Sequence, residues 1–105
     1  MDSMKEMSPH WNYRILAFEE DNNEIFFAPH EVYYDDKGNP KSYHPIGFGS
    51  DTIQGMKWQL SEIMTAVSMI GSPRKKYKIL YGGEKFPREY KPKKDEKRKR
   101  TVRGR

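Results

Sequence analysis

The stretch Asp35-Asp36-Lys37-Gly38-Asn39-Pro40 constrains this chain more than any other, because it dictates a β-hairpin and so fixes the direction of both flanking segments. Gly38 can take the left-handed conformation that closes a three-residue hairpin loop. With Asp36, Lys37 and Gly38 as the loop, Asp35 faces Asn39. An unbroken register then sets Val32 opposite Ser42 and His30 opposite His44. Upstream, residues 24–34 are rich in aromatic and β-branched side chains and read as a strand. Pro29 removes one ladder donor, so an edge position or a bulge is expected there. Downstream, residues 41–46 give a short strand that Pro45 ends. Residues 11–18 supply the first strand: Trp11, Tyr13, Ile15 and Ala17 alternate with Asn12, Arg14, Leu16 and Phe18. The polar turn 19–23 joins it to the second.

A helix follows. Asp51 as N-cap with Gln54 three residues on fits a capping box. Ile53, Met56, Leu60, Ile63, Val67 and Ile70 recur at spacings of 3 and 4, one apolar stripe expected to lie on the sheet. Gly71-Ser72-Pro73 stops the helix. Residues 74–80 alternate basic and apolar side chains and read as a short fourth, edge strand. Gly82-Gly83 breaks it. The expected class is α+β: a three-stranded antiparallel meander followed by one amphipathic helix (β-β-β-α), with that edge strand and a disordered basic C-terminal tail. The expected organisation is a flexible N-terminus over 1–10, an acidic domain over 11–72, the edge strand within 73–83, and a basic extended tail over 84–105.

Charge divides the chain at the same place. The first 72 residues carry eleven acidic and five basic side chains, a net charge of −6. The last 33 carry fifteen basic and four acidic, a net charge of +11. The overall +5 therefore averages an acidic domain and a basic extension. No cysteine is present, which excludes disulfides and thiolate metal sites. No apolar run approaches the roughly 18–20 residues of a membrane span, and residues 1–9 lack the apolar core of a signal peptide. A cytoplasmic protein is expected.

Several of these residues resemble a known pattern. Trp11-Asn12-Tyr13-Arg14, His30-Glu31-Val32-Tyr33-Tyr34-Asp35, Gly38-x-Pro40 and the helix opening at Thr52 resemble a group of small bacterial proteins of unknown function. Those carry a W-x-Y-R strand, a HEVYYD-x-x-G-x-P hairpin and one amphipathic helix. The resemblance covers about residues 11–70 and implies this fold and a bacterial or phage origin, without an activity. The Gly49-Ser50-Asp51-Thr52 helix start also resembles HicB-type antitoxins.

Candidate sites follow from residue chemistry. Residues 91–105 hold nine cations, and such a run gains from displacing the counterions condensed on a phosphate backbone. The nucleic-acid candidates are Arg74, Lys75, Lys76, Tyr77, Lys78, Tyr81, Lys91, Lys93, Lys94, Lys97, Arg98, Lys99, Arg100, Arg103 and Arg105. Tyr77 and Tyr81 among the cations offer rings for unpaired bases. A solubilising tail is the bland alternative. His30 facing His44 begins a metal site, but no third ligand is evident, so no metal or other cofactor is expected. His10 adds nothing to it. Glu19, Glu20, Asp21 and Glu24, like Asp35 and Asp36, sit on exposed turns, which suits solvation better than acid–base catalysis. With no nucleophile–base pair or phosphate loop in view, a binding protein is expected rather than an enzyme. Trp58, Thr65 and Met69 fall nearly opposite the apolar stripe and are candidates for a partner surface. The expected function is an accessory protein that contacts nucleic acid, RNA over DNA, through its basic extension while the acidic domain docks on a partner. The rival is a protein-binding module, such as a phage-encoded inhibitor or an antitoxin-like partner, acting through the Trp58 face.

Overall fold

Residues 10–92 are described by the computed structural model of the chain. Strands β1 (Trp11–Glu19), β2 (Ile25–Tyr34) and β3 (Pro40–Pro45) form the expected antiparallel meander. Helix α1 (Ile53–Ser68) follows. A 3₁₀ turn (Lys75–Tyr77) then leads into β4 (Leu80–Tyr81), which pairs parallel with β1. The sheet order is β3-β2-β1-β4, and the class is α+β. Pro29 lies opposite Ile15 of β1, just beyond His30, where β2's pairing with β3 begins. On that side it occupies an edge position, as its missing N–H requires.

The hairpin loop closes as its residues dictate. Gly38 has φ +85°, its amide donates to the Asp35 carbonyl, and the Asp35 amide donates to the Asn39 carbonyl. The Asp35 carboxylate accepts from the amides of Lys37 and Asn39 at 2.9 and 2.8 Å. The strand register differs from expectation. Tyr34 pairs with Pro40, but Tyr33 pairs with Ser42, leaving Lys41 as a bulge residue. Every later pair slips by one, so Val32 faces Tyr43 and Glu31 faces His44. One slip moves His44 to the other sheet face. His30 packs beside Phe18 and Tyr43, whereas His44 packs edge-on to Tyr33. The two imidazoles do not converge.

Two corrections concern the helix. Its N-cap is Thr52, not Asp51: the Thr52 hydroxyl accepts from the Gly55 amide at 2.9 Å. The helix is also turned about its axis relative to the expected stripe. Met56 and Ile63 are partly buried as expected, but Gln59 and Ala66 share that side, and Ala66 is the buried residue of the helix. Ile53, Leu60 and Val67 are instead 69%, 51% and 50% exposed, and Ile70 is exposed too. Gln59 sets the rotation. Its side chain accepts from the Gly49 amide and donates to the Gly47 carbonyl, tying the helix to the loop after β3. The methyl of Ala66 permits close approach where a larger side chain would hold the helix off.

The best-packed core lies on the sheet face away from the helix. Leu16, Val32 and Leu80 form it, with Phe18, Tyr34, Tyr43 and Phe86 around them. Its cover comes from the C-terminal part of the chain. Residues 84–92, expected in an extended tail, fold back along β4: Tyr81 N–H donates to the Arg88 carbonyl and Tyr90 N–H to the Ile79 carbonyl. Phe86 packs on Tyr43, and Tyr90 on Phe27 and Tyr81. Residues 93–105, the rest of that tail, and residues 1–9 of the N-terminus lie outside the described residues.

Candidate nucleic-acid interface

Arg14 organises the basic segment. Strand alternation aims it at the same face as Leu16, and it is 5% exposed. A buried guanidinium must have its N–H donors satisfied. Here Nε and one terminal nitrogen donate to the Lys78 carbonyl, and that same nitrogen donates to the Lys75 carbonyl at 2.7 Å. The other terminal nitrogen donates to the Tyr34 hydroxyl at 3.0 Å. Tyr34 donates on to Asn12 Oδ1, and Asn12 Nδ2 reaches the Lys76 carbonyl. Among the described residues the charge is thus dispersed over main-chain carbonyls rather than matched to a carboxylate.

This capture explains why residues 74–80 are not the edge strand that their alternation predicts. Binding the carbonyls of Lys75 and Lys78 to one planar group draws the chain into a 3₁₀ turn, and only Leu80 and Tyr81 continue as β4. With its backbone held inward, the turn presents Arg74, Lys75 and Lys76 as exposed side chains. None of the three has a carboxylate within ion-pair distance among the described residues. Tyr77 is half-buried, with the Lys76 ammonium 5.3 Å from its ring centre. Lys78 lies 4.0 Å from the Glu89 carboxylate. The acidic turn at 19–24 is at the other end of β1, where Lys85 pairs with Glu19 at 2.9 Å.

The other sequence candidates divide. Tyr81 is committed: Tyr90 stands edge-on to its ring and the Lys85 ammonium lies 4.8 Å from the ring centre. Lys91 is exposed. Lys93, Lys94, Lys97, Arg98, Lys99, Arg100, Arg103 and Arg105 lie outside the described residues. Of Trp58, Thr65 and Met69, the first two are exposed and Met69 is half-buried, and the Trp58 ring lies 6.4 Å from that of Tyr13. Beside Tyr13, Trp11 packs on Tyr33, whose hydroxyl donates to Glu31 at 2.6 Å. That hydrogen bond, with the neighbouring carboxylate charge, raises the Tyr33 phenol above its ordinary value.

Asn12, Arg14 and Tyr34 were not apparent as site residues from the sequence. The usable sign was Arg14 itself, a cation in line with Leu16 and Phe18 on a core-facing register. Among the described residues no three His, Asp or Glu side chains gather as a metal site would need, and no helix is long and apolar enough to cross a membrane. No family model, curated protein or solved structure matches the chain.

Proposed function

We propose that this chain is a non-enzymatic, cytoplasmic accessory protein of bacterial or phage origin that contacts nucleic acid through its basic C-terminal third, RNA in preference to DNA. The observation that carries this reading is the turn held by Arg14. Its carbonyls are consumed inward, so Arg74, Lys75 and Lys76 are offered together and, among the described residues, without acidic partners. Lysine and arginine grouped in this way suit phosphate oxygens, and the run from Lys91 onward extends the same charge. RNA is favoured because Tyr77, set among the cations, offers a ring to an unpaired base. The acidic turns repel phosphate, which leaves the rest of the domain to meet a partner protein.

Fluorescence anisotropy with labelled single-stranded RNA, duplex RNA and duplex DNA tests this over a range of salt. The intact chain should bind with a log–log salt slope of about −0.7 to −0.9 per phosphate contacted. Reversing the turn (Arg74→Glu, Lys75→Glu, Lys76→Glu) should weaken binding and flatten the slope. Absence of salt-sensitive binding by the intact chain at low ionic strength would defeat the reading.

A protein-binding module is the second reading. The half-exposed Trp58 favours it, since tryptophan recurs at the centres of protein interfaces.

A further inference from the structure

Helix α1 leaves an apolar stripe exposed along one flank, and its spacing has a symmetry of its own. Ile53, Leu60 and Val67 are seven residues apart in each direction, with Met64, 62% exposed, beside them. Seven residues span about 10.5 Å of helix, so the three lie nearly above one another. The chain is 33% charged, yet the sixteen residues of α1 include only Lys57 and Glu62 as charged side chains. Depletion of charge around exposed aliphatic residues is the composition of an interface core, not of a solvated helix.

We infer that this stripe is the contact between two copies of the chain, with the two α1 helices antiparallel and related by a two-fold axis at Leu60. In that arrangement Leu60 meets Leu60, and Ile53 of each copy lies beside Val67 of the other. The second observation is a cavity of about 370 Å³ beside Val67, lined by Ile15, Phe27, Pro29, Val67, Ile70 and Ile79. Its lining is apolar and it opens next to the stripe. The stripe therefore carries its most exposed side chain, Ile53, at one end and a hollow that accepts an aliphatic group at the other. A two-fold axis midway between brings each knob to the partner copy's hollow, which is the self-complementarity an isologous interface requires. Ile53, Leu60, Met64, Val67 and Ile70 are the exposed aliphatic and methionine side chains of the helix region, and apolar side chains grouped in this way on a surface mark interaction sites.

Sedimentation equilibrium of the full chain, freed of nucleic acid and held at moderate salt, tests this. The mass should reach twice the 12.5 kDa of one chain as concentration rises. Leu60→Glu sets two carboxylates face to face on the axis and should give a monomer with unchanged circular dichroism. Leu60→Lys should do the same. An equimolar mixture of the two variants should recover the doubled mass, because opposite charges then meet at the axis. If Leu60→Glu does not fold, Ile53→Glu serves in its place, being at a more exposed position with the same expected monomer. A wild type that stays monomeric overturns the inference, whether residues 1–9 or a different protein then covers the stripe. So does a dimer that survives these substitutions.

Discussion

The two faces of the sheet are covered in opposite ways. On one, a regular helix of sixteen residues with a full apolar stripe lies across the strands, yet most of that stripe is left exposed. On the other, the irregular and strongly basic segment 73–92, with few apolar residues, closes the tightest part of the core. Regularity and hydrophobicity therefore do not decide which segment seals a face. The helix is positioned by two hydrogen bonds from Gln59 and by a small residue, Ala66. The basic segment is positioned by Arg14, which binds its carbonyls, and by single large side chains such as Leu80 and Phe86.

Truncations sharpen this contrast most. Leu16→Ala removes a fully buried side chain between β2 and the C-terminal cover, and should cost about 2–5 kcal/mol in denaturant unfolding. Leu60→Ala on the half-exposed stripe should cost a few tenths of a kcal/mol per chain at concentrations where the chain is monomeric. Equal costs would mean that the helix face is the true core.

Arg14→Met should come next, at about 2–3 kcal/mol, because the carbonyls of Lys75 and Lys78 lose a charged donor. Arg14→Lys should not restore it, since one ammonium cannot reproduce the planar fork of donors. Full rescue by lysine would show that charge alone, not the geometry of the capture, holds the turn.

Gly82 tests the join between the cover and β1. Its amide donates to the Ala17 carbonyl, and a Cβ there would collide with the Phe18 ring. Gly82→Ala should cost about 1–3 kcal/mol, the usual range for overpacking. A neutral outcome would mean that Phe18 turns away freely and the cover is loose.

The smallest effect belongs to the hairpin loop. The amides of Asn39 and Lys37 hold the Asp35 carboxyl below its ordinary value. A group whose folded pKa is depressed contributes stability above its unfolded value, near 3.9, and loses it as pH falls through the folded value. Acid titration of stability should therefore show a slight loss below about pH 4 that is absent in Asp35→Ala. An identical acid profile in that variant would remove the linkage.

The meander was legible because its turn is chemically explicit: Asp35, Gly38 and Pro40 leave few alternatives. The bulge at Lys41 was not, since an extra residue in a strand leaves no mark in composition, and it carried His44 to the opposite face. The helix was legible in extent but not in rotation. Hydropathy ranks Leu60 above Gln59, whereas two hydrogen bonds to Gly47 and Gly49 rank them the other way. Residues 74–80 show a strand's alternation, and nothing local reveals that a distant arginine will bind their carbonyls. The cations of the candidate interface could be read directly, but their presentation depends on that long-range contact.

Amide hydrogen exchange across residues 73–92 tests most directly whether the basic segment is part of the fold. The amides of Tyr81, Gly82 and Tyr90 donate at 2.8, 2.9 and 2.8 Å to Arg88, Ala17 and Ile79. They should exchange as slowly as the central amides of β1 and β2, and lose that protection together in Arg14→Met. Exchange at the rate of an unfolded peptide in the unaltered chain, with β1 and β2 still protected, would contradict the account.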